Sequence, residues 1–366
     1  MRWVWLSLVL LLGGCHFLER SENRFGLSGY DERQIRHRTS KYEIDLTELE
    51  YWDTQVEKLV TEKAFSLAQT ARLYAYLYCA QKAFADASFD LTTSYTGSVD
   101  LISAAVIKLF IPNYSPTGLK IDAFSKELTE GLMRKIQARF DREQKGIQSI
   151  NVKSDSDSWQ HASPVETDAP TMKPWGMKRA DAFSADPPPE VDSSAWSDQL
   201  EQVKRGTEGA TGYQKERSYV WSKMHTPQES DWRYIAAQYM KEQKVSIEMF
   251  MVVRAKVAMA IMDGFIAVFH DKYTYMVKRP DMRDETLKTL FPNPQHPSYP
   301  SGHSTISSAA ATVLLYYFPE NANRWRYLAE EAGQSRLWAG IHYPIDLQAG
   351  KKQGVEVGKA VIFSGS

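Results

Sequence analysis

Residues 244–277 read KVSIEMFMVVRAKVAMAIMDGFIAVFHDKYTYMV. Apolar side chains fall at nearly every helical position, and no proline interrupts the run. A helix at a protein surface keeps one polar face, so a helix that is apolar all round belongs at the centre of a bundle. Three further helical patterns precede it. Between Leu46 and Phe89 apolar residues recur at helical spacing: Leu59, Ala64, Leu67, Ala71, Leu73, Tyr76 and Ala80. Residues 98–112, SVDLISAAVIKLFIP, predict a helix stopped by Pro112, and residues 121–146 a third with polar and apolar faces. After the central run, helices are expected beyond His303, from Asn321 to Ala339, and beyond Pro344. Strand signals are few and no fixed-period repeat is present. The chain reads as all-α, a large antiparallel helical bundle.

Residues 150–195 break the helical pattern. They are rich in Pro, Ser and Asp and cannot bury enough apolar surface to fold alone. Trp159, Trp175 and Trp196 suggest a segment packed over the helices, with a loose linker as the alternative.

The chain has 366 residues, 43% hydrophobic and 24% charged, with a formal net charge of −1. That is ample for a large core and offers no global positive field for nucleic acid. An anion site here requires a local cluster of cations. The N-terminus, MRWVWLSLVLLLGGC, places one arginine before a short apolar run and small residues before Cys15, as an export signal does. LLGGC resembles the bacterial lipobox. The expected division is a signal at 1–14, a lipid-anchored tether at 15–45 and a helical domain at 46–366, with the active site in 244–350. The expected location is the bacterial cell envelope, periplasm-facing or on the outer membrane. Cys15→Ser is predicted to move the protein from membranes to the soluble fraction; unchanged sedimentation with membranes contradicts the anchor. Lipidation of Cys15 would leave Cys79 without an intramolecular partner, and Cys79 sits in a helical pattern as an inert core residue.

Three clusters in the C-terminal third carry chemistry. They are Lys272 with Arg279-Pro280, then Pro300-Ser301-Gly302-His303, then Ser335-Arg336 with His342 and Asp346. Singly, each has an ordinary explanation. Lys272 and Arg279 complement a helix dipole, Ser301 is a helix cap, Arg336 is a solvated helix residue, and His342–Asp346 is a surface i, i+4 pair. Together they supply three cations suited to a tetrahedral oxyanion, a hydroxyl and a backbone N–H at a helix N-terminus. Two histidines remain for nucleophile or ligand and for proton transfer, with Asp346 able to fix the tautomer of His342.

The order K-x6-R-P, P-S-G-H, S-R-x5-H-x3-D resembles the signature shared by type 2 phosphatidic acid phosphatases (PAP2), bacterial acid phosphatases and vanadium-dependent haloperoxidases. The stretches MAIMDGFIAVFHDKYTYMVKRP, PWGMKRADAFSADPPP, ERSYVWSKMHTPQESDWRYIA and HPSYPSGHS resemble the bacterial haloperoxidase branch, so the likeness extends from about residue 46 onward. The resemblance implies that Lys272, Arg279, Ser301, Gly302 and Arg336 bind vanadate or phosphate oxygens. It implies that His342 is the vanadium ligand or the phosphatase nucleophile, that His303 is the acid–base, and that Asp346 orients His342. It further implies a cofactor, vanadate, for the haloperoxidase and none for the phosphatase.

His296, seven residues before His303, resembles the bromoperoxidase pattern, with a loop histidine of no consequence as the alternative. Phe269 departs from a tryptophan common in relatives, which puts halide chemistry in question. The implied substrates are hydrogen peroxide with halide, or a phosphomonoester; a homo-oligomer is compatible with either. The third expectation is a non-enzymatic envelope protein that keeps the fold. No segment after the N-terminal one is long and apolar enough to span a bilayer.

Overall fold

The expected central helix spans Ile247–Tyr275 in the computed structural model, which describes residues 45–91, 98–152, 155–191, 193–223 and 229–364. The proposed signal, Cys15 and residues 15–44 of the tether lie outside the described residues. The described residues form an all-α fold. Its helices are α1 (Leu46–Glu62), α2 (Leu67–Leu91), α3 (Asp100–Phe110), α4 (Ala123–Gly146), α5 (Ala195–Glu208) and α6 (Gly212–Trp221). They continue with α7 (Trp232–Glu242), α8 (Ile247–Tyr275), α9 (Pro280–Arg283), α10 (Gly302–Tyr317), α11 (Ala322–Trp338) and α12 (Pro344–Phe363). The chain divides into two compact units: residues 1–145 with 236–258 and 363–366, and residues 146–235 with 259–362. No described helix is long and apolar enough to cross a membrane.

In the first unit, the pattern from Leu46 to Phe89 is two helices rather than one. Ala64 takes a positive φ of 50°, which ends α1, and Ser66 with Gln69 forms a reciprocal cap for α2. Apolar periodicity continues through such a break, because both helices bury the same kind of face. Buried polar groups join the helices. Trp52 Nε1 donates to Asp100 Oδ1 at 2.9 Å, and Arg72 Nη2 donates to Glu143 Oε2 at 3.1 Å. Pro112 follows the end of α3 by two residues, as expected.

The second unit holds the three sequence clusters. From Met259 to Phe269, α8 is buried at every position, as its composition predicts. Its two buried carboxylates are the exceptions with a purpose. Asp263 accepts the backbone N–H groups of Trp175, Gly176 and Met177 at 2.7, 2.7 and 3.0 Å. Asp271 accepts the N–H of Ala185 at 2.6 Å and the Gln353 side-chain amide at 2.7 Å. The segment after residue 150 is therefore packed down, not a loose linker. Trp159 and Trp196 are buried, and Tyr275 and Tyr299 donate to the carbonyls of Ala185 and Asp186. At Gly176 a Cβ would lie 2.7 Å from the backbone of Val361, so only glycine lets this loop approach α12.

Asp263→Ala leaves three backbone donors without their acceptor. It is expected to cost about 3 kcal/mol of stability. Thermal unfolding checks this, and an unchanged melting temperature contradicts it.

Helices α10, α11 and α12 follow one another with short connections and frame the site. Gly350, Gly354 and Gly358 recur every four residues along α12. A Cβ at each would come within 2.6 Å of α10 or the residue capping it. This small-residue ridge lets α12 lie directly on α10, which brings Asp346 in the first turn of α12 beneath the N-terminus of α10.

Candidate active site

The stretch from His296 to Ser301 bridges α8, α10 and α12. Lys272, in the last turn of α8, donates from Nζ to the carbonyls of Pro297 and Ser298 at 2.7 and 2.8 Å. The N–H of Ser298 bonds Val277, and the N–H of Ser301 bonds the carbonyl of Asp346 at 3.0 Å. Ser301 caps α10 by accepting from Ser304 N at 3.4 Å, and Gly302 is its first residue. The ordinary cap is present. It also leaves Gly302 beside a cation, since a Cβ there would lie 4.0 Å from Lys272 Cε.

Burial decides between the ordinary explanations and a site. Lys272, Arg279, Ser301 and Asp346 are fully buried, and Arg336 and His342 are 1% and 2% exposed. These are not solvated helix residues or a surface pair. Burial first, then Arg279, hold the Lys272 ammonium well below its usual range. Burial lowers the Arg279 guanidinium to about 10. Burial and repulsion from Arg279 lower Arg336 to about 9. Burial is the common cause, and repulsion from Arg279 adds to it at Lys272 and Arg336. An anion among the three cations would offset both effects.

The geometry sets the protonation of His342. Arg279 Nη1 lies 3.0 Å from His342 Nε2 and donates to Ile341 O at 2.7 Å. A guanidinium only donates, so Nε2 carries the lone pair. The proton is then on Nδ1, 2.7 Å from Asp346 Oδ2. The same oxygen accepts from Ser298 Oγ at 2.6 Å and from Tyr343 N at 3.1 Å. Burial, then Arg279 and Lys272, keep His342 well below the normal imidazole range, so the ring is neutral. Burial pushes the Asp346 carboxyl up to about 6, although Ser298 and Lys272 pull the other way. Ser298 was missed in the sequence: it stands inside the quoted HPSYPSGHS run, but its role depends on a contact across to α12.

His296 is half-buried. Its Nδ1 lies 3.0 Å from Arg279 Nη2, and its ring meets Phe269 edge-on at 5.1 Å between centroids. Nδ1 must accept from the guanidinium, which excludes donation to the Pro297 carbonyl 3.2 Å away. His296 and Phe269 are thus in contact with each other and with the cationic cluster. His303 Nε2 lies 2.8 Å from the carbonyl of Trp221. A carbonyl only accepts, so Nε2 bears a proton. Arg336 donates to Ser335 Oγ at 3.0 Å and to Ser218 O at 2.5 Å, and its guanidinium stands 5.2 Å from the Phe291 ring centre. Within this unit the structure brings the three sequence clusters together; Cys15 lies outside the described residues.

Residues 252–362 match the family model of the PAP2 superfamily. A non-specific acid phosphatase of Salmonella typhi is 36% identical over 100 residues, covering 25% of this chain and 39% of its own. The bacitracin transport permease protein of Bacillus licheniformis is 34% identical over 58 residues, covering 16% and 29%. The chain thus spans well under half the length of these curated relatives. Among solved structures, a bacterial vanadium-dependent iodoperoxidase superposes with a TM-score of 0.71 at 20% identity, over 87% of this chain and 96% of that one. A bacterial vanadium-dependent chloroperoxidase superposes at 0.57 and 12%, over 78% and 81%. Residues 252–362 are thus similar to the PAP2 superfamily, and the chain shares its fold with these bacterial vanadium haloperoxidases.

Proposed function

We propose that this chain is an enzyme that works on a bound tetrahedral oxyanion, and that its chemistry is of the haloperoxidase type. The observation that carries the reading is the neutral His342, with its Nε2 lone pair turned toward buried Arg279 and its proton held by Asp346. That arrangement suits a metal ligand or a nucleophile and serves no packing purpose that an apolar residue would not serve better. The peroxidase is favoured because the likeness to the iodoperoxidase fold runs over 96% of that chain and 87% of this one.

The residues present fit vanadate. Lys272, Arg279 and Arg336 would balance its charge, and the Ser301 hydroxyl and Gly302 N–H would donate at the α10 N-terminus. Gly302 leaves room beside Lys272 that a side chain would narrow. His342 would be the protein ligand through Nε2. Vanadate, when bound, would supply the electrophilic centre that activates hydrogen peroxide toward halide. Asp346 keeps the proton on Nδ1 and so keeps the lone pair at Nε2. His303 is assigned proton transfer at Nδ1, because its Nε2–H is held by the Trp221 carbonyl. His296 and Phe269, in contact beside Arg279, are assigned to halide preference.

The second reading is a phosphomonoesterase without a cofactor, favoured by the acid phosphatase likeness over the C-terminal region. There His342 Nε2 would form a bond to phosphorus as the ester P–O bond breaks. The imidazolium form of His303 would give its Nδ1 proton to the leaving alkoxide while Nε2–H stays on Trp221, and water, losing a proton to Nδ1, would then cleave the phosphohistidine.

Parallel assays separate the two. The protein freed of residues 1–15 is given orthovanadate, hydrogen peroxide and iodide or bromide, or else p-nitrophenyl phosphate without vanadate. Vanadate-dependent halide oxidation lost in His303→Ala supports the peroxidase. Phosphate release inhibited by vanadate, with no halide oxidation, supports the phosphatase and overturns the first reading.

A further inference from the structure

Two site residues are held by the last turn of one short helix. Arg336 donates to the carbonyl of Ser218 at 2.5 Å, and His303 to that of Trp221 at 2.8 Å. Both acceptors lie in the last turn of α6, where the helix dipole is negative, a suitable seat for a cation and a proton-bearing imidazole; the Ser218 carbonyl also accepts the Ser222 N–H at 3.1 Å. The aim of Arg336 and His303 thus depends on where α6 sits.

A single carboxylate fixes that position. Glu331, on α11 and 4% exposed, accepts five donors. Arg217 Nε and Nη2 reach Oε2 at 3.0 and 2.9 Å as a fork, and Trp221 Nε1 reaches the same oxygen at 2.9 Å. Tyr213 and Tyr327 hydroxyls reach Oε1 at 3.0 and 2.9 Å. Three of these residues, Tyr213, Arg217 and Trp221, lie on α6. Ser218 adds a bond from Oγ to Ser335 O at 2.9 Å, next to Arg336. The residue whose indole is held by Glu331 is the residue whose carbonyl holds His303.

We propose that Glu331, with Arg217 as its partner, is a positioning residue: it clamps α6 to α11, so that the Ser218 and Trp221 carbonyls hold Arg336 and His303 toward the oxyanion. This rests on the roles proposed above for Arg336 and His303. Glu331 touches neither the oxyanion ligands nor the reacting atoms. A charged group at this junction is explained by its two effects together, since helix packing alone would be served by an apolar residue.

The test compares wild type, Glu331→Ala, Glu331→Gln and Arg217→Met. Calorimetry measures inorganic phosphate affinity, nitrogen NMR reads the His303 tautomer, and thermal melting reports the fold. Glutamine keeps an oxygen for Trp221 and Arg217, and its amide can donate to the tyrosine hydroxyls. Glu331→Ala is expected to weaken phosphate binding by about 10- to 100-fold and to erase the preference for the Nε2–H tautomer of His303. Glu331→Gln should restore both to near wild type. Arg217→Met removes a side chain nearer the surface and should reproduce the alanine effects in part, even where the alanine variant fails to fold. Unchanged phosphate affinity and an unchanged tautomer in folded Glu331→Ala or Arg217→Met overturn the proposal. A wild-type protein that binds no phosphate or vanadate strikes instead at the oxyanion reading. The His303 tautomer requires no anion and still decides whether Glu331 sets the Trp221 carbonyl.

Discussion

His342→Ala is expected to lower turnover by at least ~10³-fold, for halide oxidation or for phosphate ester hydrolysis alike. The substitution removes the lone pair at Nε2, which either chemistry uses for a bond to the oxyanion's central atom. It also removes the donor that Asp346 Oδ2 faces at 2.7 Å, while Ser298 and Tyr343 still donate to that oxygen. The fold should therefore survive, and the melting temperature separates lost chemistry from lost structure. Orthovanadate should bind far more weakly than to wild type, because three cations remain but the ligand does not. Full turnover in folded His342→Ala would end the assignment.

Asp346→Ala is the second large effect, with turnover expected to fall by ~10² to 10⁴-fold. Three donors converge on Oδ2, and all lose their acceptor at once. The Nδ1–H of His342 then has no acceptor in Asp346, and Arg279 alone holds the lone pair at Nε2. Lys272 and Arg279 also lose the carboxylate that offsets their crowding. Asp346→Asn separates these causes. It keeps an oxygen at the junction but not the charge, so it should fold better than the alanine variant and turn over at an intermediate rate. Nitrogen NMR should show a weaker preference for Nδ1–H at His342 in the alanine variant than in wild type, with the asparagine variant between them. Wild-type turnover in either variant contradicts the orienting role.

The reach of the sequence had a physical limit. The α8 run was legible because burial on every side requires apolar residues at every position. The three clusters were legible because each lies within a short segment, and their spacing resembles a known signature. Their convergence required the fold: the spacing of Gly350, Gly354 and Gly358 acquires its meaning only where α12 lies on α10. Ser298, Glu331 and the α6 carbonyls were not legible. A backbone carbonyl that holds His303 leaves no trace in residue identity, and Glu331 resembles any glutamate of an exposed helix. The break at Ala64 was hidden for a related reason, since the turn costs the apolar pattern nothing. Asp263 and Asp271 stand in an apolar helix, and nothing in their own segment shows what they bind. They are the anchors of the loop whose packing the sequence left open.

Equilibrium titration of orthovanadate into the wild-type protein and into Arg336→Met tests the oxyanion site most directly. Arg336 is buried beside Arg279 and donates to no carboxylate through any of its described bonds, so its charge has a purpose chiefly if an anion arrives. One anion per chain, bound at least ~30-fold more weakly after the substitution, is the predicted result, on the scale of a charge-assisted hydrogen bond. No saturable binding to wild type, or equal affinity in the variant, would contradict a site built for a tetrahedral oxyanion.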